Sequence, residues 1–179
     1  NVPIHPLRLA KEVNDFMNRE DDIVVADGGD TAIWTGMTRT VRRAGTYQDS
    51  GLFGCLGVGL PYANTAQLLN PDKRVCLMIG DGSVGFNFME FENAIRKQFP
   101  IVVVISNDLG WGMIRHSQEL RLGHAIEAGT WIGKVDYHKL VEALGGKGIL
   151  VERPEQIRPA LEGAFASGRT TGINVMTDP

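Results

Sequence analysis

The run Ile101-Val102-Val103-Val104-Ile105 constrains the fold more than any other segment. Five consecutive β-branched residues favour extended backbone, and a strand that is apolar throughout must be covered on both faces. Arg74-Val75-Cys76-Leu77-Met78-Ile79 repeats the pattern, as do the shorter Ile23-Val24-Val25-Ala26, Gly148-Ile149-Leu150-Val151 and Gly172-Ile173-Asn174-Val175-Met176. Helical patterns lie between them: Pro6 to Glu20, Thr31 to Thr40, an apolar stretch after the glycine-rich segment 51–59 that ends near Asn70, Phe88 to Gln98, and a segment starting near Trp111. Two more follow, Tyr137 to Leu144, stopped by Gly145-Gly146, and Pro154 to Ala166, with proline in its first turn. Residues 121–135 read as irregular. The alternation predicts an α/β fold: an open, mostly parallel sheet of five or six strands with helices on both faces.

Composition narrows the functional classes. The 179 residues suit one domain, taken as 1–179, and 43% apolar against 22% charged residues allow a packed core. A net charge of -3 lacks the basic surplus of a nucleic-acid footprint, so no nucleic-acid partner is expected. No apolar run approaches the roughly 18 residues of a membrane span. Cys55 and Cys76 form neither a CxxC nor a Cys/His cluster, which argues against a disulfide scaffold and a zinc site. With no signal-peptide pattern at the start, a cytoplasmic location is expected. Asn1 in place of an initiator Met suggests a processed product or a fragment of a longer chain.

In a parallel sheet, ligands bind at the carboxyl ends of the strands. Three such ends are polar or glycine-rich: Asp27–Asp30, Gly80–Ser83 and Asn107–Gly112. Gly80-Asp81-Gly82-Ser83-Val84-Gly85 fits GxGxxG between a strand and a helix, and Asp108 lies 23 residues beyond Gly85, near where a nicotinamide-dinucleotide site places its ribose-binding acid. Asp81 opposes that reading. Its carboxylate stands where the backbone would approach a pyrophosphate, and like charges ~4 Å apart cost about 4 kcal/mol at an effective dielectric of ~20. A divalent cation between them removes the objection. Magnesium takes oxygen ligands, commonly one or two carboxylates plus substrate phosphates. Asp81 and Asp108 supply two such carboxylates, and Gly82 and Ser83 offer amide groups to phosphates.

Gly80-Asp81-Gly82-Ser83 followed, after 23 residues, by Asn107-Asp108 resembles the GDG…NN motif of thiamin diphosphate-dependent enzymes. Gly51-Leu52-Phe53-Gly54-Cys55-Leu56-Gly57 is similar to their glycine-rich segment at the aminopyrimidine ring. Asp108-Leu109-Gly110-Trp111-Gly112-Met113 resembles the turn after the metal-binding strand. The resemblance covers most of the chain and points to the C-terminal cofactor domain of the acetolactate synthase, benzaldehyde lyase and 2-hydroxyacyl-CoA lyase group. It implies thiamin diphosphate and Mg2+ as cofactors. Asp81, Asp108 and the Gly110 carbonyl would bind the metal, and Gly80, Gly82, Ser83, Trp111, Gly112 and Met113 would surround the diphosphate. Gly29, Asp30 and Thr31 match a second diphosphate-contacting turn, Leu56 the apolar wedge between the cofactor rings, and Gly54 the carbonyl that meets the pyrimidine amino group. The family usually has Asn where this chain has Asp108, and Asp30 is an awkward neighbour for phosphate.

The resemblance also implies what the chain lacks. The glutamate that activates the cofactor lies in a separate pyrimidine-binding domain, in the same full-length chain or a partner subunit, so this chain alone is expected to be inactive. The implied assembly is a homo-oligomer, dimer or tetramer, acting on a small carbonyl substrate. The reaction would make or break a carbon–carbon bond beside a carbonyl, in the manner of acetolactate synthase. Two other readings stand beside it: a nicotinamide-dinucleotide oxidoreductase domain, and a non-catalytic module that keeps the fold for assembly. His116, one helical turn beyond Gly112 and near the proposed site, could touch substrate, although a solvated helix histidine is the preferred reading; Cys55 reads as a packing residue, and His5, His124 and His138 as surface residues.

Overall fold

A computed structural model describes residues 2–178; Asn1 and Pro179 lie outside the described residues. In chain order the elements are α1 (Pro6–Phe16), β1 (Ile23–Asp27), α2 (Gly29–Thr38), β2 (Tyr47–Gln48), a 3-10 turn (Gly51–Phe53), α3 (Gly59–Leu69), β3 (Val75–Gly80) and α4 (Asp81–Val84). Then come α5 (Glu90–Arg96), β4 (Val102–Asn107), α6 (Gly112–Leu122), α7 (Glu127–Thr130), α8 (Tyr137–Ala143), β5 (Lys147–Val151), α9 (Ile157–Ala166) and β6 (Thr171–Met176).

The six strands form one sheet in the order β2-β1-β3-β4-β6-β5, and every pairing is parallel. The side-chain period of two sends alternate residues to opposite faces. Cys76 and Met78 of β3 join Val102 and Val104 of β4 in a core closed by Leu9 and Val13 of α1 and Leu161 of α9. Leu77 and Ile79 join Val103 and Ile105 on the other side, under Leu60 of α3, Phe91 of α5 and Val141 of α8. β3 and β4 are buried almost throughout, so their apolar runs follow from cover on both faces.

Three details depart from the sequence reading. α1 ends at Phe16 rather than Glu20, because the chain turns there: the Arg39 guanidinium takes the Met17 carbonyl, and Asp22 Oδ2 accepts from the Arg19 amide at 2.9 Å. β2 is a two-residue edge strand, paired Val24 to Tyr47 and Val25 to Gln48, with no apolar run to announce it. Within 121–135, α6 runs on to Leu122 and α7 adds one turn. None of the described helices is long and apolar enough to cross a membrane.

The strand order places the site. From β1 the chain moves outward to β2 and then returns to β3 on the other side of β1, so the connections diverge between β1 and β3. That divergence opens a crevice at the carboxyl edge. Register sets Asp27 beside Ile79 and Gly80 beside Ser106, so Asp27, Asp81 and Asp108 all emerge along this edge. Gly28 has φ +93, and a methyl on it would lie 3.1 Å from the Gly80 amide nitrogen. A left-handed turn against a neighbouring strand end suits glycine alone.

Candidate functional site

A cavity of about 680 Å³ opens at the crevice. All fourteen residues singled out from the sequence line it: Gly29, Asp30, Thr31, Gly54, Leu56, Gly80, Asp81, Gly82, Ser83, Asp108, Gly110, Trp111, Gly112 and Met113.

Asp81 and Asp108 are brought together. Asp81 Oδ1 accepts from the Gly82 amide at 2.8 Å, and Oδ2 accepts from the Gly110 amide at 3.0 Å. The same Gly110 amide lies 3.3 Å from Asp108 Oδ1, so both carboxylates converge on one N–H. Asp81 is 2% exposed, and burial, reinforced by the neighbouring Asp108 charge, pushes its carboxyl up to about 8. Burial also raises the Asp108 carboxyl, against the opposing pull of the Asp81 hydrogen bond and of Arg115, whose Nη2 stands 3.4 Å from Asp108 Oδ2. Two desolvated carboxylates so close are electrostatically unsatisfied, a state relieved by a proton or by a cation.

The loop carrying Gly110 is held from outside the site. Leu109 adopts φ 64. Its carbonyl accepts from the amides of Ile132 (2.9 Å) and Gly133 (3.2 Å), and the Trp111 amide donates to the Thr130 carbonyl at 2.8 Å. This bridge runs through Leu109 and Trp111 and leaves the Gly110 carbonyl out of it. The Trp111 ring packs against the Gly82 backbone, where a methyl would lie 2.7 Å from it, and meets Phe86 edge-on with ring centroids 5.9 Å apart. Any larger residue at 82 would push the ring away. Met113 covers Gly29 in the same manner, so α6 and α2 close the two sides of the cavity.

At the start of α2, the N-cap Gly28 offers no side chain, and the first backbone bond of the helix is Ala32 N–H to the Gly28 carbonyl. The preceding amides of the turn, Gly29 to Thr31, are the orphan donors of a helix N-terminus and suit an anion. Gly54 is left-handed, with φ 59, and Leu56 is 37% exposed beside it. Both face the cavity from a glycine-rich loop in which Leu52 and Phe53 are fully solvated and Cys55 is exposed.

Three further residues of the site carry roles that the sequence reading did not assign to them. Asp27, 1% exposed, accepts from Ser83 Oγ at 2.7 Å and from the amides of Gly57 (3.3 Å) and Gly59 (2.7 Å). It thereby fastens the glycine-rich loop and the start of α3 to the turn after β3. The Ser83 hydroxyl is committed to Asp27, which leaves the Ser83 backbone to face the cavity. Tyr137, whose phenol burial raises to about 12, donates from its hydroxyl to the Asp81 carbonyl at 3.1 Å. Tyr137→Phe removes that donor and is expected to cost about 1 kcal/mol. A lowered denaturant midpoint with unchanged slope would register the loss, and an unchanged midpoint would refute it. His116 is the third. Far from being simply solvated, its Nδ1 lies 2.8 Å from Asp30 Oδ2, and the ring lines the cavity. His5 caps α1 by accepting from the Leu7 amide at 3.1 Å.

The GxGxxG segment does not open the long helix that a dinucleotide site uses. α4 is a single turn of four residues, and its first residue is the buried Asp81.

Comparison with known proteins agrees with this geometry. The family model described as thiamine pyrophosphate enzyme, C-terminal TPP binding domain, matches residues 27–175. A probable acetolactate synthase of Mycobacterium bovis is 42% identical over 178 residues, covering 99% of this chain and 32% of the relative. A 2-hydroxyacyl-CoA lyase of Arabidopsis thaliana is 31% identical, covering 97% of this chain and 31% of the relative. Among solved structures, the thiamine diphosphate-dependent 4-hydroxybenzoylformate decarboxylase of Rhodococcus jostii RHA1 superposes with a TM-score of 0.89 at 28% identity, covering 99% of this chain and 33% of that one. The chain thus spans about a third of the length of the relatives it matches. It belongs to the thiamine pyrophosphate enzyme family, as the C-terminal TPP-binding domain.

Proposed function

We propose that this domain holds the diphosphate of thiamin diphosphate through one Mg2+, as part of a carboligase or lyase acting on 2-keto acids or related carbonyl compounds in the manner of acetolactate synthase. The observation that carries the reading is the pair of carboxylates, Asp81 buried and Asp108 half-buried, converging on the Gly110 amide at the ends of adjacent strands. The donor set fits the ion. It is all hard oxygen, and among the described residues no cluster of three or more His, Cys, Asp or Glu competes for a softer metal. Two carboxylates leave ligand positions for the Gly110 carbonyl, water and phosphate, the usual arrangement for magnesium.

The chain's own groups have distinct tasks in this reading. The amides of Gly29–Thr31 and of Gly82 and Ser83 take phosphate oxygens. Trp111, Gly112 and Met113 line the diphosphate pocket, and Gly54 and Leu56 orient the ring system. When bound, thiamin diphosphate supplies the electron sink for making or breaking a carbon–carbon bond beside a carbonyl. The proton-activating glutamate belongs to a pyrimidine-binding domain elsewhere in a longer chain or on a partner subunit. The functional unit is a cytoplasmic dimer or tetramer, and this chain by itself is inactive. The one-third share of the relatives' length supports that division of labour.

Calorimetry on the intact protein tests the reading. Thiamin diphosphate should bind with Mg2+ present and not in excess chelator. Metal-independent binding of a nicotinamide dinucleotide, with none of thiamin diphosphate, would contradict it. Undiminished cofactor binding by Asp81→Ala would point instead to a module that keeps the fold for assembly.

A further inference from the structure

Two carboxylates, Asp108 and Asp30, flank Gly112, and a third, Asp81, stands next to Asp108. A methyl placed on Gly112 would lie 3.2 Å from Asp30 Oδ2 and would overlap Asp108 Oδ2, and Asp108 converges with Asp81 on the Gly110 amide. One bound divalent cation balances two of these charges. Asp30, in the first turn of α2, is the one left over. An acidic side chain there favours its own helix N-terminus, so its natural tendency is to fold back over the orphan amides. That would put a negative charge on the donors that the proposed function assigns to diphosphate.

α6 supplies a counter-group for each outer carboxylate from consecutive residues. Arg115 Nη2 stands 3.4 Å from Asp108 Oδ2, and His116 Nδ1 stands 2.8 Å from Asp30 Oδ2. No residue of α6 is fully buried, so His116 is not placed by a core requirement. Its ring is about half exposed, 48%, against 27% for the Asp30 side chain. The strongest visible tie of that ring is the hydrogen bond to Asp30, which joins residues 86 positions apart in the chain.

We infer that His116 is a positioning residue that draws the Asp30 carboxylate onto α6 and off the first-turn amides of α2, keeping that turn open to a diphosphate. The inference rests on the function proposed above. It gives His116 no contact with reacting atoms; His116 acts through Asp30.

The consequence is a dependence of sign. With Asp30 present, losing His116 releases a carboxylate toward the phosphates; with Asp30 neutralised, losing His116 has little to release. Calorimetric titration of thiamin diphosphate with Mg2+ into the intact protein should therefore show about tenfold weaker binding for His116→Ala. Asp30→Asn should bind as tightly as the native protein or tighter, and the double variant should return to within about twofold of Asp30→Asn. His116→Asn, which keeps an amide donor near the place of Nδ1, should recover most of the loss. Inorganic pyrophosphate with Mg2+ should show the same ranking, whereas unphosphorylated thiamin should be indifferent to all four changes. A general structural role would not separate phosphorylated from unphosphorylated ligands. Additive effects of the two substitutions, or equal losses for thiamin and its diphosphate, would overturn the inference and leave the function standing. Failure of the native protein to bind thiamin diphosphate would remove the function and this inference together.

Discussion

Asp81→Asn is expected to abolish Mg2+-dependent binding of thiamin diphosphate, by at least 100-fold, and at the same time to stabilise the metal-free protein at pH 8. Both effects have one cause. The Asp81 carboxyl is desolvated and faces Asp108, and these raise it to about 8 from the ordinary carboxylate value near 4. A folded state that holds a proton more tightly than the unfolded chain loses stability as pH rises between the two values. The metal-free native protein should therefore weaken progressively from about pH 4 to about pH 8. Asn carries no charge to desolvate, so its profile should be flatter. The variant should be the more stable at pH 8 and indistinguishable at pH 4. Denaturant titrations in chelator at the two pH values measure this, and a variant less stable than native at pH 8 would refute the account. The trade is physically coherent: the electrostatic frustration that weakens the empty fold is what a divalent cation relieves on binding.

The second large effect concerns a residue that touches no proposed ligand. Asp27→Ala is expected to destabilise the fold by about 2–4 kcal/mol, because buried donors that it accepts from are left without a partner at about 1–3 kcal/mol each. Two donors lose their acceptor, Ser83 Oγ and the Gly59 amide, and the Gly57 amide keeps only its bond to Ser83 Oγ at 3.1 Å. The loss also unties the glycine-rich loop from the turn after β3, so the cavity wall carrying Gly54 and Leu56 should loosen. Chemical denaturation should show the lower stability, and faster amide exchange at Gly57 and Gly59 should show where it originates. A cost below about 1 kcal/mol would mean that Asp27 is dispensable as an anchor.

The division between what the sequence revealed and what it concealed follows from range of interaction. β3 and β4 were legible because burial on both faces leaves a continuous apolar run. β2 was not, because two residues at a sheet edge need only backbone pairing with Val24 and Val25. Asp81 and Asp108 were legible because each sits directly at a strand end, where parallel topology gathers polar groups. Asp27 also ends a strand, but its three donors come from residues 30 to 56 positions further on. Tyr137 reaches Asp81 from α8, 56 positions away. His116 sits on a helix with no fully buried residue, so a local reading favours a solvated side chain there and does not reveal its partner. Its partner appears once α6 is laid against α2. The awkwardness of Asp30 beside phosphate, visible in the sequence, was the trace of that missing partner.

The central claim is that Asp81 and Asp108 hold one hard cation between them. Manganese substitutes for magnesium at oxygen-only octahedral sites and is visible by its anomalous scattering. Crystals of the intact protein grown with Mn2+ and thiamin diphosphate should give one anomalous peak within about 2.1–2.2 Å of a carboxylate oxygen from each residue. A peak elsewhere in the cavity, or bound thiamin diphosphate with both carboxylates free of metal, would contradict the account.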